Sequence, residues 1–150
     1  MPLINRFFTL FVLTFLLNAC EQNHGVAIMD SWVRANAPGQ SVGAAYMTLL
    51  SAQDSTMVKV ESDIAGSVEI HSMKMEDGVM KMRMLEELPL HAGKQEKLAP
   101  GGFHLMLFDL KKPLAVGENV NLTLSFKDTA GKITQQQVTL PIKDGESHQH

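Results

Sequence analysis

Short apolar runs separated by turn-forming residues recur along the chain from residue 26 onward, without sustained helical periodicity. The run NLTLSF at 121–126 alternates polar and apolar residues, which is typical of a strand buried on one face. Gly, Pro, Asp and Asn punctuate the runs at intervals typical of short strands. We predict about nine strands, at residues 26–35, 43–51, 56–62, 67–75, 79–85, 95–99, 103–110, 119–128 and 133–142. This pattern predicts one all-β domain, an antiparallel β-sandwich.

The segment EIHSMKMEDGVMKMRML at 69–85 predicts a β-hairpin. Asp77-Gly78 is a favoured pair for a two-residue type I′ turn, because both positions need positive φ. Side chains alternate across a strand, so pairing around this turn would project six of them from one face. The predicted cross-strand pairs are Met75 with Met80, Met73 with Met82, and His71 with Met84.

Methionine is concentrated in this hairpin, which holds five of the 10 methionines of the chain. Taken singly, each is best interpreted as a core residue, because methionine fills irregular gaps well. As a set they share a face with His71, and a second such pair, His104 and Met106, lies two residues apart on another predicted strand. Its apolar neighbours, including Leu105, would take the opposite face. Two histidines that each share a strand face with methionines indicate a metal site.

Thioether and imidazole ligands together favour Cu(I), because thioether sulfur is soft and uncharged. Thioethers need no deprotonation and do not form disulfides in an oxidising compartment. A blue-copper centre needs a cysteine thiolate, and the only cysteine, Cys20, lies outside the predicted domain. The same absence excludes disulfides, zinc knuckles and cysteine nucleophiles within the fold.

The N-terminal segment predicts export. Arg6 precedes an apolar run of 11 residues at 7–17, too short to span a bilayer and typical of a signal peptide. LNAC at 17–20 resembles a bacterial lipobox, although Asn18 departs from it, which makes Cys20 the predicted lipidation site. The alternative is ordinary cleavage near Ala19, which would leave a free thiol. We therefore predict a signal peptide at 1–19, a tether at 20–25, the domain at 26–142 and a polar tail at 143–150.

Charge and motifs narrow the function further. The net charge of −3 offers no basic footprint for nucleic acid. Dinucleotide-binding, P-loop, zinc-protease and nucleophile-elbow motifs are missing from the sequence. These features favour a binding protein over an enzyme.

The spacing His71, ten residues, Met82, twenty-one residues, His104, one residue, Met106 resembles the H-x10-M-x21-H-x-M pattern of periplasmic PCu(A)C-type copper chaperones. The resemblance continues through DSWVRANAPG at 30–39, AAYMTL at 44–49 and PGGFHLMLFDL at 100–110. It implies a cupredoxin-like Greek-key β-sandwich that binds one Cu(I) per monomer through these four residues. It also implies copper delivery to terminal oxidases alongside Sco-type thiol proteins, in the periplasm of a Gram-negative bacterium.

Several assignments stay open at this point. Met73, Met75, Met80 and Met84 lie outside the motif and are candidates for secondary copper contacts or for plain packing. His148 and His150 could form a weak Cu(II) site or only a polar tail. Copper scavenging without an oxidase partner is one alternative to delivery, and a metal-free structural or adhesion-type sandwich is another.

Overall fold

The computed structural model describes residues 25–145 and contains ten β-strands and no helix within that range. The predicted signal peptide, Cys20, most of the tether, His148 and His150 lie outside the described residues. The strands are β1 (Val26–Arg34), β2 (Gly43–Ser51), β3 (Ser55–Ser62), β4 (Ser67–Glu76), β5 (Val79–Leu85), β6 (Leu88–Leu90), β7 (Gln95–Leu98), β8 (His104–Phe108), β9 (Asn119–Asp128) and β10 (Ile133–Lys143).

The strands form an all-β, cupredoxin-like sandwich, as predicted. One layer runs in the order β5-β4-β8-β2-β1, with β7 also paired to β2, and the other runs β10-β9-β3-β6. β8 lies between β4 and β2 in this layer, although three strands, β5 to β7, separate it from β4 along the chain. Neighbours far apart in sequence therefore become neighbours in the layer that carries the histidines.

Two details of the sequence prediction need correction. The pairing is not wholly antiparallel, because β1 and β10 run parallel where they join the layers, at Val33–Ile142 and Arg34–Lys143. The prediction also missed β6, three residues around Pro89 that pair with β3. Three residues are too few for a visible alternation, and proline is disfavoured in a ladder except at edges such as this one.

The core lies between the layers and is filled by aliphatic side chains from both of them, including Leu49, Leu105, Leu107, Leu124 and Leu140. Burial of this apolar surface is the main favourable contribution to folding. Leu105 and Leu107 belong to β8, so the core anchors the strand that carries His104 and Met106.

Candidate metal centre

The hairpin of β4 and β5 has the predicted register. Met75 pairs with Met80, Met73 with Met82 and His71 with Met84. Asp77 and Gly78 both have positive φ, at 53° and 77°, as a type I′ turn requires. The six paired side chains therefore share one face, which we call the methionine face.

β8 lies directly beside β4, and its register places the second half of the motif against the first. His71 pairs with His104, and Glu69 pairs with Met106. The imidazole centroids of His71 and His104 are 5.8 Å apart. Since a metal–nitrogen bond is ~2 Å long, two imidazoles that share one ion have ring centres within roughly 6 Å of each other. The two histidines are thus spaced to share an ion.

Burial divides the donors into two groups. His71 and His104 are buried, with 9% and 4% of their surface exposed, whereas Met82 is 48% exposed. Met75, Met80 and Met84 are 64%, 41% and 59% exposed. The interpretation of these methionines as core residues is therefore wrong. The hairpin extends past the sandwich beyond Ser72, so its outer part has no layer to pack against.

Glu69 sets the orientation of His71. Nε2 of His71 lies 2.8 Å from Oε2 of Glu69, and a carboxylate accepts, so Nε2–H donates this hydrogen bond. Nδ1 of His71 then carries the lone pair, and it is buried without a hydrogen-bond partner. A buried unpaired nitrogen costs ~1–3 kcal/mol, a cost that a metal bond would remove. At many metal sites, a histidine binds the metal through one ring nitrogen and donates a hydrogen bond to a carboxylate through the other.

A backbone carbonyl sets the orientation of His104. Nδ1 of His104 donates to the carbonyl oxygen of Gly102 at 3.0 Å, which leaves Nε2 with the lone pair. Gly102 belongs to a turn at 99–102, which is closed by the Gly102 amide donating to the carbonyl oxygen of Ala99 at 3.0 Å. The two imidazoles therefore offer different nitrogens, Nδ1 from His71 and Nε2 from His104.

A cavity of about 300 Å³ opens beside these donors. Its walls include Met73, Met82, His104 and Met106, so three of the four motif residues border it, and the ring of His71 lies 5.8 Å from that of His104. Both motif methionines reach the same space although they come from β5 and β8. The structure thus brings the four predicted ligands into one neighbourhood.

Arg34 and Tyr46 also line the cavity. The guanidinium carbon of Arg34 lies 5.4 Å from the centre of the Tyr46 ring, a cation–π contact. Burial raises the pKa of the Tyr46 phenol above its usual 10.0, and the charge of Arg34 opposes part of that rise. Tyr46 also stacks on Trp32, with centroids 4.7 Å apart, so this part of the lining is aromatic and its phenol is neutral at ordinary pH.

The donor chemistry is unusual for a divalent metal. Within residues 25–145, no three side chains of His, Cys, Asp or Glu are placed to hold an ion together. The two histidines need other ligands, and the thioethers of Met82 and Met106 border the same cavity as His104. Two imidazoles with two thioethers suit Cu(I).

Sequence reasoning missed Glu69 and the wall of Arg34 and Tyr46. Glu69 precedes His71 by two residues and so shares its strand face, and this spacing could have identified Glu69 as a partner of His71 from the sequence. Arg34 and Tyr46 lie on β1 and β2, and their place beside the cavity depends on the layer order.

The fold and the donor set define a class, the PCuAC-type copper chaperone domain. The structure is similar to the apo PCuAC domain from PmoF1, at 26% identity and a TM-score of 0.63, covering 79% of this chain and 93% of that one. It is also similar to Cu(I)-bound DR1885 from Deinococcus radiodurans, at 31% identity and a TM-score of 0.61, covering 79% and 80%. These similarities support a role like that of a copper chaperone.

The chain belongs to the family described as "Putative lipoprotein LpqE-like", which it matches over residues 26–142. A relative named "Putative lipoprotein Lxx21020", from Leifsonia xyli subsp. xyli, is 30% identical over 125 residues, which are 83% of this chain and 73% of the relative. These names are consistent with an exported, membrane-anchored protein. Residues 25–145 include no helix long and apolar enough to cross a bilayer.

Proposed function

We propose that this protein is an exported metallochaperone that binds one Cu(I) through His71, Met82, His104 and Met106. The observation that carries the proposal is that Met82, His104 and Met106 border one cavity while the buried, oriented ring of His71 lies 5.8 Å from that of His104. Glu69 would hold Nδ1 of His71 toward the ion, and Gly102 would hold Nε2 of His104 toward it.

The proposed ligands differ in burial, and the difference suits transfer of the ion to a partner. Met82 is exposed and Met106 is half-buried, whereas both histidines are buried. Thioethers are neutral and bind Cu(I) reversibly, so ligands of a partner can replace them one at a time. The imidazoles would release the ion last, which keeps it bound until the partner has engaged it.

The proposed destination is the copper subunit of a respiratory terminal oxidase, in cooperation with a Sco-type thiol protein. The resemblance to the PCu(A)C motif and the similarity to copper-bound DR1885 support this role. The lipobox-like sequence ending at Cys20 and the lipoprotein relative support a lipid anchor, and the proposed location is the periplasm of a Gram-negative bacterium. An anchor would hold the protein near membrane-bound oxidases.

A competition titration tests the site. The purified protein is titrated with Cu(I) against a coloured Cu(I)-specific chelator. We expect one tightly held equivalent that is lost in both His71→Ala/Met82→Ala and His104→Ala/Met106→Ala. The matched control is His91→Ala, which removes an exposed histidine far from the cavity and should leave binding unchanged. Unchanged retention in both double variants would show that copper is bound elsewhere or not at all.

A deletion strain tests the destination. At limiting copper, loss of the gene should lower terminal oxidase activity, and added copper or the wild-type gene should restore it. The His71→Ala/Met82→Ala gene should not restore it. Normal oxidase assembly together with increased copper sensitivity would instead assign the protein to scavenging.

The tail carries a separate proposal, a weak Cu(II) site at His148 and His150. Two imidazoles two residues apart on a polar segment suit Cu(II). Electron paramagnetic resonance should detect a Cu(II) signal that His148→Ala/His150→Ala removes while Cu(I) binding persists. An identical signal in the variant would eliminate the tail site.

A further inference from the structure

The methionine face exposes more thioethers than the four-ligand site uses. Of the large apolar side chains exposed within residues 25–145, Met75, Met80 and Met84 join Met82 on this one hairpin. Exposed apolar groups forgo the stabilisation that burial would provide, roughly 25 cal/mol per Å². Met47 and Met57, by contrast, are fully buried in the core. Packing therefore accounts for the core methionines and not for those of the hairpin.

The register groups two of these exposed thioethers, Met75 and Met80, with the half-buried Met73. Met75 lies directly opposite Met80, and Met73 is the diagonal neighbour of Met80 on the same face. Met73 and Met80 stand in the same diagonal relation as His71 and Met82, displaced by two residues toward the turn. The pair of Met73 and Met80 therefore has the same strand geometry as the pair of His71 and Met82, with a thioether in place of the imidazole.

Met73, Met75 and Met80, which we call the triad, are uncharged, and the charged side chains of the hairpin strands near the turn lie on the reverse face. Glu76 is the nearest carboxylate on the hairpin strands, and it faces away, where Arg83 donates to both of its oxygens at 3.0 Å. Lys81 adds a second contact at 3.2 Å on that reverse face. A hard divalent cation prefers oxygen ligands, whereas three thioethers suit a soft monovalent ion.

We propose that Met73, Met75 and Met80 form a second, weaker Cu(I) site that exchanges copper with the four-ligand site. Met73 would connect the two sites, because it belongs to the triad and also borders the cavity with Met82, His104 and Met106. Copper arriving at the exposed end of the hairpin would meet the triad first and pass inward through Met73. The exchange role rests on the proposed function, whereas the existence of the triad site is testable separately.

The direct test is a Cu(I) titration of the purified protein with ¹³C-methyl-labelled methionine, followed by NMR under anaerobic conditions. We expect the first equivalent to shift the methyl signals of Met82 and Met106. The second should shift those of Met73, Met75 and Met80, while the buried Met47 and Met57 stay unmoved as internal controls. A second equivalent that leaves the triad signals in place overturns the proposal.

Variants separate this proposal from the proposed function. Met75→Leu/Met80→Leu should bind one equivalent with the affinity of the tight wild-type site, and His104→Ala/Met106→Ala should keep only the weaker one. Met84→Leu is the matched control, because Met84 is equally exposed on the same face but lies away from the triad, and it should keep both. If the wild type binds only one equivalent in total, as Met75→Leu/Met80→Leu does, the second site is refuted and the proposed function stands. If the wild type binds none, both fail.

Discussion

The two histidines at the base of the hairpin differ in what orients them, and this difference bears on how each would bind copper. Gly102 offers His104 a backbone carbonyl, which side-chain substitution cannot remove. His71 depends on the side chain of Glu69. The orientation of His71 is therefore the one that a single substitution can disturb.

We expect Glu69→Ala to weaken Cu(I) binding by ~10–100-fold, the usual cost of losing the hydrogen-bond partner of a metal-bound histidine. Without the carboxylate, Nε2–H of His71 has no fixed acceptor and the ring can adopt either tautomer. Chelator competition measures the change, and circular dichroism checks that the fold is kept. Glu69→Gln should recover part of the affinity, because the amide oxygen still accepts.

Glu61→Ala is the matched control, since Glu61 is exposed on β3 and pairs only with Lys59, at 2.7 Å. Equal affinities for Glu69→Ala and Glu61→Ala would remove Glu69 from the site.

Tyr46 gives a prediction about alkaline pH. Its pKa is raised in the folded protein, chiefly by burial, so the folded state keeps the phenol proton at a pH where the unfolded chain has lost it. The unfolded state then binds fewer protons, and the free energy of unfolding falls as pH rises above 10.0. Below that pH the contribution of Tyr46 is constant.

Because Tyr46 is the only tyrosine, its ultraviolet absorbance titration reads the pKa directly, and the midpoint should lie above 10.0. Tyr46→Phe should flatten the fall in the free energy of unfolding. A midpoint at or below the ordinary value would contradict the prediction.

At the scale of elements, the Asp-Gly turn determines which side chains meet. Gly78 has a φ of +77° and open space around the position of an added Cβ, so an alanine there is strained by the backbone alone. Gly78→Ala should destabilise the hairpin by ~1–2 kcal/mol, the cost of a left-handed conformation for a residue with a side chain. Copper binding should weaken several-fold, because Met82 lies on the strand that the turn aligns.

Gly131→Ala is the matched control. Gly131 has a φ of +84°, equally open surroundings and a place in the β9–β10 connection, away from the donors. It should cost similar stability without changing the Cu(I) dissociation constant. If both variants lower copper affinity equally, the effect is a general loss of stability.

Sequence patterns were sufficient for most strands and for the hairpin register, because turn dipeptides and alternation are local signals. β6 was missed because three residues around Pro89 show no alternation. The order of strands in a layer is not a local property of the sequence. The pairing of His71 with His104 and the position of Arg34 and Tyr46 beside the cavity therefore needed the structure. The exposure of the methionines was also hidden, since a pattern shows that a face is apolar and not whether another layer covers it.

For the whole molecule, the separation of the core from the donor cluster predicts how the protein behaves without copper. The buried aliphatic cluster joins both layers, and the motif methionines Met82 and Met106 contribute none of it. His71 and His104 are held in place by strand pairing and by Glu69 and Gly102, all of which are formed by the chain alone. The fold should therefore be complete before the ion binds, unlike that of small zinc domains that are unfolded without metal.

Copper removal should consequently leave the circular dichroism spectrum and the cooperative thermal transition intact, and should lower only the transition temperature. A ligand that binds the folded state alone adds ~4 kcal/mol of stability at a free concentration 1,000 times its dissociation constant. The shift should therefore grow with free Cu(I), buffered by the chelator, and should shrink strongly in His104→Ala/Met106→Ala, whose core is unchanged and which keeps only the weaker proposed site. A copper-free protein without a cooperative transition would mean that the ion is structural, which is incompatible with a carrier that must fold, load and unload repeatedly.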